Sequence, residues 1–284
     1  MPKDTVFPAL RTIKIKGKPL VLDQPLIMGI LNLTGDSFFS GSRVQSEAQL
    51  LEKAEKMLSE GADILDLGAS STRPGAQAVD QITEQQRIQD AVRILRKAFP
   101  DSILSLDTYR ADVAEIGLQE GADMINDVSG GQLDNNMHAV VAKWDVPYVL
   151  MHMRGTPETM QNLTEYADPV KDIVFWFSQQ IHSLHAKGIA DIIVDPGIGF
   201  AKTAAQNFEL LRRLESFHTL DCPLLIGISR KSFLHRTLNT SPEEALNATT
   251  FMHFPALLKG AKILRVHDVQ EVKQCRTLIQ HFLK

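Results

Sequence analysis

Eight short apolar runs recur along the chain at regular intervals, and each is followed by a stretch of helical character. LIMGILN ends at Asn32, DILDLG at Gly68, ILSLDT at Thr108 and MINDV at Val128. PYVLMHM then ends at Met153, DIIVDPG at Gly197, PLLIGIS at Ser229, and ILRVHD at Asp268. Nearly continuous apolar character is what a strand covered on both faces requires. In residues 46–60, Leu50, Leu51, Ala54, Met57 and Leu58 share one helical face, with Ser46 as the expected N-cap. The other helical stretches are 83–98, 110–120, 133–143, 168–187, 205–217, 242–259 and 269–282.

The joints between helix and strand repeat as well. EGADILDLG, from Glu60, returns as EGADMINDV from Glu120, and KGIADIIVDPG (from Lys187) and KGAKILRV (from Lys259) vary the same theme. A glycine here suits the left-handed position just past a helix C-terminus. One copy would be local turn chemistry; four spaced copies point to a parallel βα repeat. Eight such units in 284 residues match a (β/α)8 TIM barrel better than an open doubly wound sheet. No G-x-G-x-x-G follows the first strand, which further weakens a dinucleotide-binding reading. Residues 12–22 (TIKIKGKPLVL) alternate around Lys16-Gly17-Lys18, as an N-terminal β-hairpin closing the bottom of the barrel would. No linker-like stretch divides the chain, so a single α/β domain over residues 1–284 is expected, with 1–24 as the hairpin extension.

Composition narrows the function classes. With 44% apolar and 23% charged residues the chain is of the soluble globular class and long enough to bury a large core. A net charge of -4 carries no global basic footprint, so nucleic acid is not an expected partner. The opening MPKDTVFPAL has no apolar signal core, and no run reaches the ~18 apolar residues of a membrane span. Cys222 and Cys275 form no disulfide framework and fit a reducing compartment, so a cytoplasmic location is expected.

In a barrel of this kind the polar residues at strand C-termini share one face, where the active site lies. Here they are Asn32, Asp66, Asp107, Asn126 with Asp127, His152, Asp195, Ser229-Arg230-Lys231, and Arg265 with His267. Any one Asp reads best as a salt bridge, but a full ring of charge is costly to bury and reads as a ligand site. Asp107, Asn126, Asp195 and Lys231 combine acceptors, an amide and an ammonium, which suit a flat heterocycle with an amino-pyrimidinone edge. Arg73, Ser229, Arg230, Arg265 and His267 suit phosphate oxygens. Arg230 and Lys231 are expected in a helix's first turn, the wrong end of the dipole for cations unless an anion sits there; a solvated basic turn is the alternative. Asn32 offers an oxygen to a hard cation such as Mg2+ escorting phosphates. The loops 33–43 and 69–76 are long and rich in small residues, as lids are, and Phe38 and Phe200 stand near the rim. Phe39 reads as packing on the barrel top, His152 as a satisfied core histidine or one standing behind the site residues, and both cysteines as inert.

At these residues the chain resembles the dihydropteroate synthase family of pterin-binding barrels. MGILNLTGDSF, DLGASSTRPGA, the DT at Asp107, the IND ending at Asp127, LMHMRGTPETMQ, DPGIGF, SRKS and RVHD carry the resemblance in order along the chain. It implies a (β/α)8 fold, a homodimer, and a Mg2+-assisted condensation of 6-hydroxymethyl-7,8-dihydropterin pyrophosphate with p-aminobenzoate, giving 7,8-dihydropteroate and pyrophosphate. Position by position, it implies that Asp107, Asn126, Asp195 and Lys231 bind the pterin, and that Asn32, Arg73, Arg265 and His267 handle pyrophosphate, Asn32 with the Mg2+. Phe38, Thr72, Arg73, Pro74, Phe200 and Ser232 would frame p-aminobenzoate. Asp107, Asp195, Lys231, Arg265 and His267 are the residues that it would make catalytic.

The chain also departs from the family pattern. Gly35 stands where proline is common, Ser40 where a second loop aspartate often stands, Ser70 where glutamate is frequent, and Ile198 where phenylalanine is. Glycine for proline widens the open ensemble by roughly 0.4–1 kcal/mol, so an unusually mobile first loop is expected in the ligand-free protein. A pterin-barrel methyltransferase would explain the pterin groups but not SRKS and RVHD. A catalytically silent pterin-binding module and a phosphate-binding barrel isomerase are the readings from other classes.

Overall fold

Seven of the eight apolar runs form strands of four to seven residues, and the eighth contributes two. The computed structural model describes residues 12–33, 43–70 and 79–283. Its strands are β1 (Thr12–Ile15), β2 (Lys18–Val21), β3 (Leu26–Asn32), β4 (Ile64–Gly68), β5 (Ile103–Asp107), β6 (Met124–Asp127), β7 (Tyr148–Met151), β8 (Ile192–Asp195), β9 (Leu225–Ile226) and β10 (Ile263–Val266). The last eight pair in the order β8-β7-β6-β5-β4-β3-β10-β9, all in parallel. The ends of that ribbon meet through one parallel bridge, Val194 to Leu224, with the Val194 amide donating to the Pro223 carbonyl at 2.9 Å. The barrel expected from the repeat is therefore present, closed by its shortest strand.

Helices alternate with these strands: α1 (Arg43–Glu60), α2 (Gln81–Ala98), α3 (Ala111–Gln119), α4 (Met137–Trp144), α5 (Pro169–Ala186), α6 (Ala204–Arg212), α7 (Ser232–Thr237), α8 (Ala245–Leu258) and α9 (Val269–Phe282). Ser46 is not the N-cap of α1, which begins three residues earlier at Arg43; the apolar periodicity starts later than the helix does. Residues 205–217 also divide, because α6 stops at Arg212 and a 3-10 stretch, Leu214–Leu220, follows. Where side-chain caps exist they set the starts sharply. Asp80 accepts the Thr83 amide, Asp168 accepts the Val170 and Lys171 amides, and Thr203 and Gln206 form a capping box.

The four repeated joints share one geometry. Gly61, Gly121, Gly188 and Gly260 have φ of 109°, 104°, 85° and 91°. At each, the residue after the glycine donates its amide to a carbonyl five residues back: Ala62 to Met57, Ala122 to Gly117, Ile189 to Leu184 and Ala261 to Ala256, at 2.9–3.1 Å. This is the Schellman ending, which satisfies a terminal carbonyl and turns the chain into the next strand.

Strand alternation then sorts the side chains. Outward residues such as Leu65, Leu67, Leu104, Leu106, Ile125, Leu150, Val194, Leu264 and Val266 pack under the helices. Inward residues at the strand starts, Met28, Ile64, Met124, Val149, Ile193, Leu225 and Ile263, form a separate apolar plug. The β1–β2 hairpin adds Ile13, Ile15 and Leu22 to that plug, closing the bottom as expected; Lys16 and Gly17, at φ 51° and 73°, make its tight reversal. Two residues further along β4, β5, β6, β8 and β10 the inward positions turn polar, as Asp66, Ser105, Asn126, Asp195 and Arg265, and this sets where chemistry can occur.

No helix among the described residues is long and apolar enough to cross a membrane. The expectations for Gly35, Phe38, Phe39, Ser40, Thr72, Arg73 and Pro74 lie outside the described residues.

Gly117 tests the fit between helix layer and barrel. A Cβ there would lie 2.3 Å from Leu106 Cδ1 and 3.0 Å from Ile88 Cγ2. Overpacking of this kind costs about 1–3 kcal/mol, against roughly 1 kcal/mol returned by alanine's helix propensity. Gly117→Ala is expected to lower the urea midpoint with an unchanged slope, and a raised midpoint would contradict the packing described.

Candidate active site

The inward polar layer is built by register. Asp66 lies one pleat above Ile64, Asn126 above Met124, Asp195 above Ile193 and Arg265 above Ile263, while β5 places Ser105 and then Asp107 above Ile103. The pairings Asp66 with Ser105 and Asp107 with Asn126 put these groups at adjoining levels of one interior. Arg265 reaches past β3 to join them. Its Nε donates to Asp66 Oδ2 and its Nη2 to Asp107 Oδ2, both at 2.6 Å, and Asn126 Nδ2 donates to the same Asp66 oxygen at 3.0 Å. Two carboxylates thus share one guanidinium in the charge-assisted geometry that arginine favours.

Burial decides the protonation in this cluster. It pushes the Asp107 carboxyl up to about 7; Arg265 works against that rise and the neighbouring Asp66 adds to it. Burial also opposes charge on Arg265, but Asp66 and Asp107 outweigh it and hold the guanidinium firmly protonated. Asp66 itself is fully buried. The reading of Asp66 as a structural ion-pair residue fits, since its carboxylate fixes both Arg265 and Asn126.

Across the mouth, Asp195 at the end of β8 accepts the Gly197 amide at 2.8 Å. Burial raises its pKa, with that amide, Lys231 and Lys202 pulling it back. Lys231 sends its ammonium to the Ile198 carbonyl at 2.7 Å, 4.1 Å from the centroid of the Phe200 ring. Lys231 and Arg230 are not in a first helical turn. Lys231 is the N-cap of α7 and Arg230 precedes it with φ 54°, because the chain must reverse sharply after β9. The anion that Arg230 called for is the Asp268 carboxylate, gripped through Nε and Nη2 at 2.9 and 2.7 Å. That pairing turns Arg230 to the loop after β10.

Ser229 and His267 meet on the same side. The Ser229 hydroxyl accepts the His267 amide at 3.2 Å and lies 3.0 Å from His267 Nδ1. Asn32 ends β3 exposed at the rim, in register with Gly68, and Ser232 is exposed at the start of α7. Phe200 packs with Met151, Met153 and Met160 near the mouth. His152 is the core histidine expected: its ring packs edge-on against Trp176 at 5.0 Å, and burial drives its pKa down to about 2. Both cysteines are buried, and burial pushes the Cys222 thiol up to about 12, as an inert residue requires.

Among the described residues, no group of three or more His, Cys, Asp or Glu side chains could hold a metal ion. Asn32 supplies one oxygen. Mg2+ commonly takes one or two protein ligands and fills its shell with substrate phosphates and water, so this donor fits a metal that arrives with a phosphate.

Two contributors escaped sequence reasoning. Lys202 lies buried under the loop after β8; its only signal was a lysine two residues past Phe200. Asp268 was visible only as the last letter of RVHD.

The match to known proteins is extensive. A family described as pterin binding enzyme matches residues 28–267. The chain is 44% identical over 251 residues to a dihydropteroate synthase of Synechocystis sp., spanning 87% of this chain and 86% of that one. A crystal structure of the Yersinia pestis dihydropteroate synthase with a sulfonamide drug complex superposes with a TM-score of 0.88 at 37% identity, covering 95% of this chain and 98% of that one. A Xanthomonas albilineans dihydropteroate synthase with 4-aminobenzoic acid superposes with a TM-score of 0.88 at 33% identity, covering 96% and 98%.

The Asp66–Arg265 bond is testable by a double-mutant cycle. Breaking one partner of a buried pair costs roughly 3–5 kcal/mol, and Asp66→Asn is expected near the low end because Asp107 still holds Arg265. Combined with Arg265→Met, the two losses should fall short of additivity by about 1 kcal/mol or more in urea unfolding. Strict additivity would mean that the two side chains do not interact.

Proposed function

The chain belongs to the pterin-binding enzyme family and catalyses the dihydropteroate synthase reaction, and we propose that the polar ring above the apolar plug is where 6-hydroxymethyl-7,8-dihydropterin pyrophosphate meets p-aminobenzoate. The observation that carries this assignment is the pair of buried carboxyls, Asp107 and Asp195, on opposite sides of one barrel mouth, with Asn126 in register beside the first and Lys231 beside the second. Carboxylates accept the N–H groups of an amino-pyrimidinone edge, Asn126 both donates and accepts, and Lys231 donates to a ring nitrogen or carbonyl.

Arg265 and His267 face the same interior one pleat apart on the strand and its extension, with Ser229 orienting the imidazole. We assign them to the pyrophosphate, whose departure becomes easy once its charge is neutralised. Mg2+, held by Asn32 and the phosphates, would supply further neutralisation as a Lewis acid. The carbon left behind resembles a cation conjugated to the pterin ring, and Asp107 and Asp195 are placed to stabilise it. An arylamine is neutral at pH 7, so no strong general base is needed; orientation and exclusion of water complete the catalysis. Phe200 and Ser232, with Phe38, Thr72, Arg73 and Pro74 from the two loops, frame the p-aminobenzoate.

A homodimer is the assembly we favour. Phe251, Leu278 and Phe282 are 73%, 63% and 65% exposed on the packed pair α8 and α9, an apolar surface suited to a second copy. The two buried, unpaired cysteines suit a cytoplasmic setting.

Release of pyrophosphate should require both the pterin pyrophosphate and p-aminobenzoate. Pterin binding without turnover would instead indicate a silent binding module. His267→Ala should lower kcat by about 10²–10³-fold while changing pterin affinity far less; an unchanged kcat would remove His267 from the reaction. Because Asp107 must give up a proton to accept from the pterin, affinity should strengthen as pH rises towards 7 and weaken below it by up to about tenfold per pH unit. Calorimetry in two buffers of different ionisation enthalpy reads the released proton, and Asp107→Asn should abolish it.

A further inference from the structure

The loop after β8 is folded around an internal cation. Lys202 is 4% exposed, and its ammonium donates to the carbonyls of Phe200 at 2.8 Å and Gly197 at 3.0 Å. The His152 carbonyl, at 3.4 Å, and His152 Nδ1, at 3.3 Å, complete a shell of acceptors. Only a group with several N–H donors and no acceptor satisfies such a shell, and an ammonium is that group. Burial draws the Lys202 pKa down to about 7, while the nearby Asp195 works to keep its charge.

Gly197, Gly199 and Ala201 all have positive φ, at 68°, 85° and 49°, and Ala201 is fully buried. Glycine adopts such φ readily, but at Ala201 it is strained, and such strain persists only where surrounding contacts over-determine it. Here a lysine sits on each side. A Cβ on Gly197 would lie 2.1 Å from the His152 carbonyl oxygen and 3.3 Å from Lys202 Nζ, and one on Gly199 would lie 2.9 Å from Lys231 Cδ. Lys202 takes the carbonyls of residues 197 and 200, and Lys231 takes that of Ile198. The same short segment thereby fixes Asp195 through the Gly197 amide, Lys231 through the Ile198 carbonyl, and the Phe200 ring under the Lys231 ammonium.

We infer that Lys202 is a positioning residue for both substrate sites: its ammonium holds the 197–200 carbonyls in the conformation that presents Asp195 and Lys231 to the pterin and Phe200 to p-aminobenzoate. Lys202 lies under that loop and touches no substrate. Arg265 and His267 stand on another strand and its extension and do not depend on it. Its loss should therefore appear in substrate binding more than in the departure of pyrophosphate. This rests on the reaction assigned above.

The test compares Lys202→Met, which keeps the length without the charge, with Lys202→Ala, whose missing atoms are those of n-propylammonium. Both variants are expected to raise the KM of pterin pyrophosphate and of p-aminobenzoate by about tenfold or more, with a smaller accompanying fall in kcat because Asp195 also steadies the cationic carbon. Added n-propylammonium should restore both KM values in Lys202→Ala, and n-propanol, of the same shape but uncharged, should not. Unchanged KM values, a loss confined to kcat, or equal rescue by n-propanol would overturn the inference. If neither variant folds, as read by circular dichroism and Tm, Lys202 is a structural residue only and the inference fails. Pyrophosphate release by the unmutated protein is measured first, so that a failure of the assigned reaction is seen separately; calorimetric pterin binding by the same variants then tests Lys202 alone.

Discussion

Closing a parallel sheet of eight strands turns half of the strand side chains into one narrow interior, and the molecule's chemistry follows from how that interior is filled. Its lower level is apolar and is sealed by the hairpin, so it supports the barrel. One pleat higher Asp66, Asn126, Asp195 and Arg265 point inward, beside Ser105, Ile30 and Met151. Charges buried there must neutralise one another, because water is not available to do it. Arg265 answers that demand by bridging Asp66 and Asp107 across β3.

The two acids in that bridge are not equivalent. Asp66 lies deeper and accepts from Arg265 and Asn126, so its carboxylate sets the positions of two other residues. Asp107, nearer the mouth, is raised towards neutrality by its burial. Depth within one barrel thus gives two chemically identical side chains different surroundings. A similar division separates Arg230, which is spent on Asp268, from Lys231, its neighbour in the chain, which turns into the mouth.

The loop after β8 shows a different solution to the same difficulty. Its three left-handed residues turn backbone carbonyls inward, where they need donors, and two lysines supply them from opposite sides. Asp195 and Lys231 are both anchored to this backbone, and the Lys231 ammonium rests on the Phe200 ring. The α1 start, the break after α6 and the two-residue β9 belong to the same class of features: each depends on what the segment packs against, which periodicity along the chain does not encode.

The amino-acid sequence by itself determined the repeat, the barrel and the face that carries the site. A helix-ending glycine and an apolar run are local signals, and the two-residue period of a strand makes Ile64 and Asp66, or Ile263 and Arg265, face the same way whatever lies around them. It also marked Asp107, Asn126, Asp195, Lys231, Arg265 and His267 as neighbours of one interior. Only the tertiary structure decided how those charges pair. Arg265 with Asp66, Arg230 with Asp268 and Lys202 with the 197–200 carbonyls are contacts in which distance, burial and competing partners choose among many combinations of the same residues. Electrostatic partners are selected in space, across strands distant in the chain, and a linear pattern holds no record of that choice.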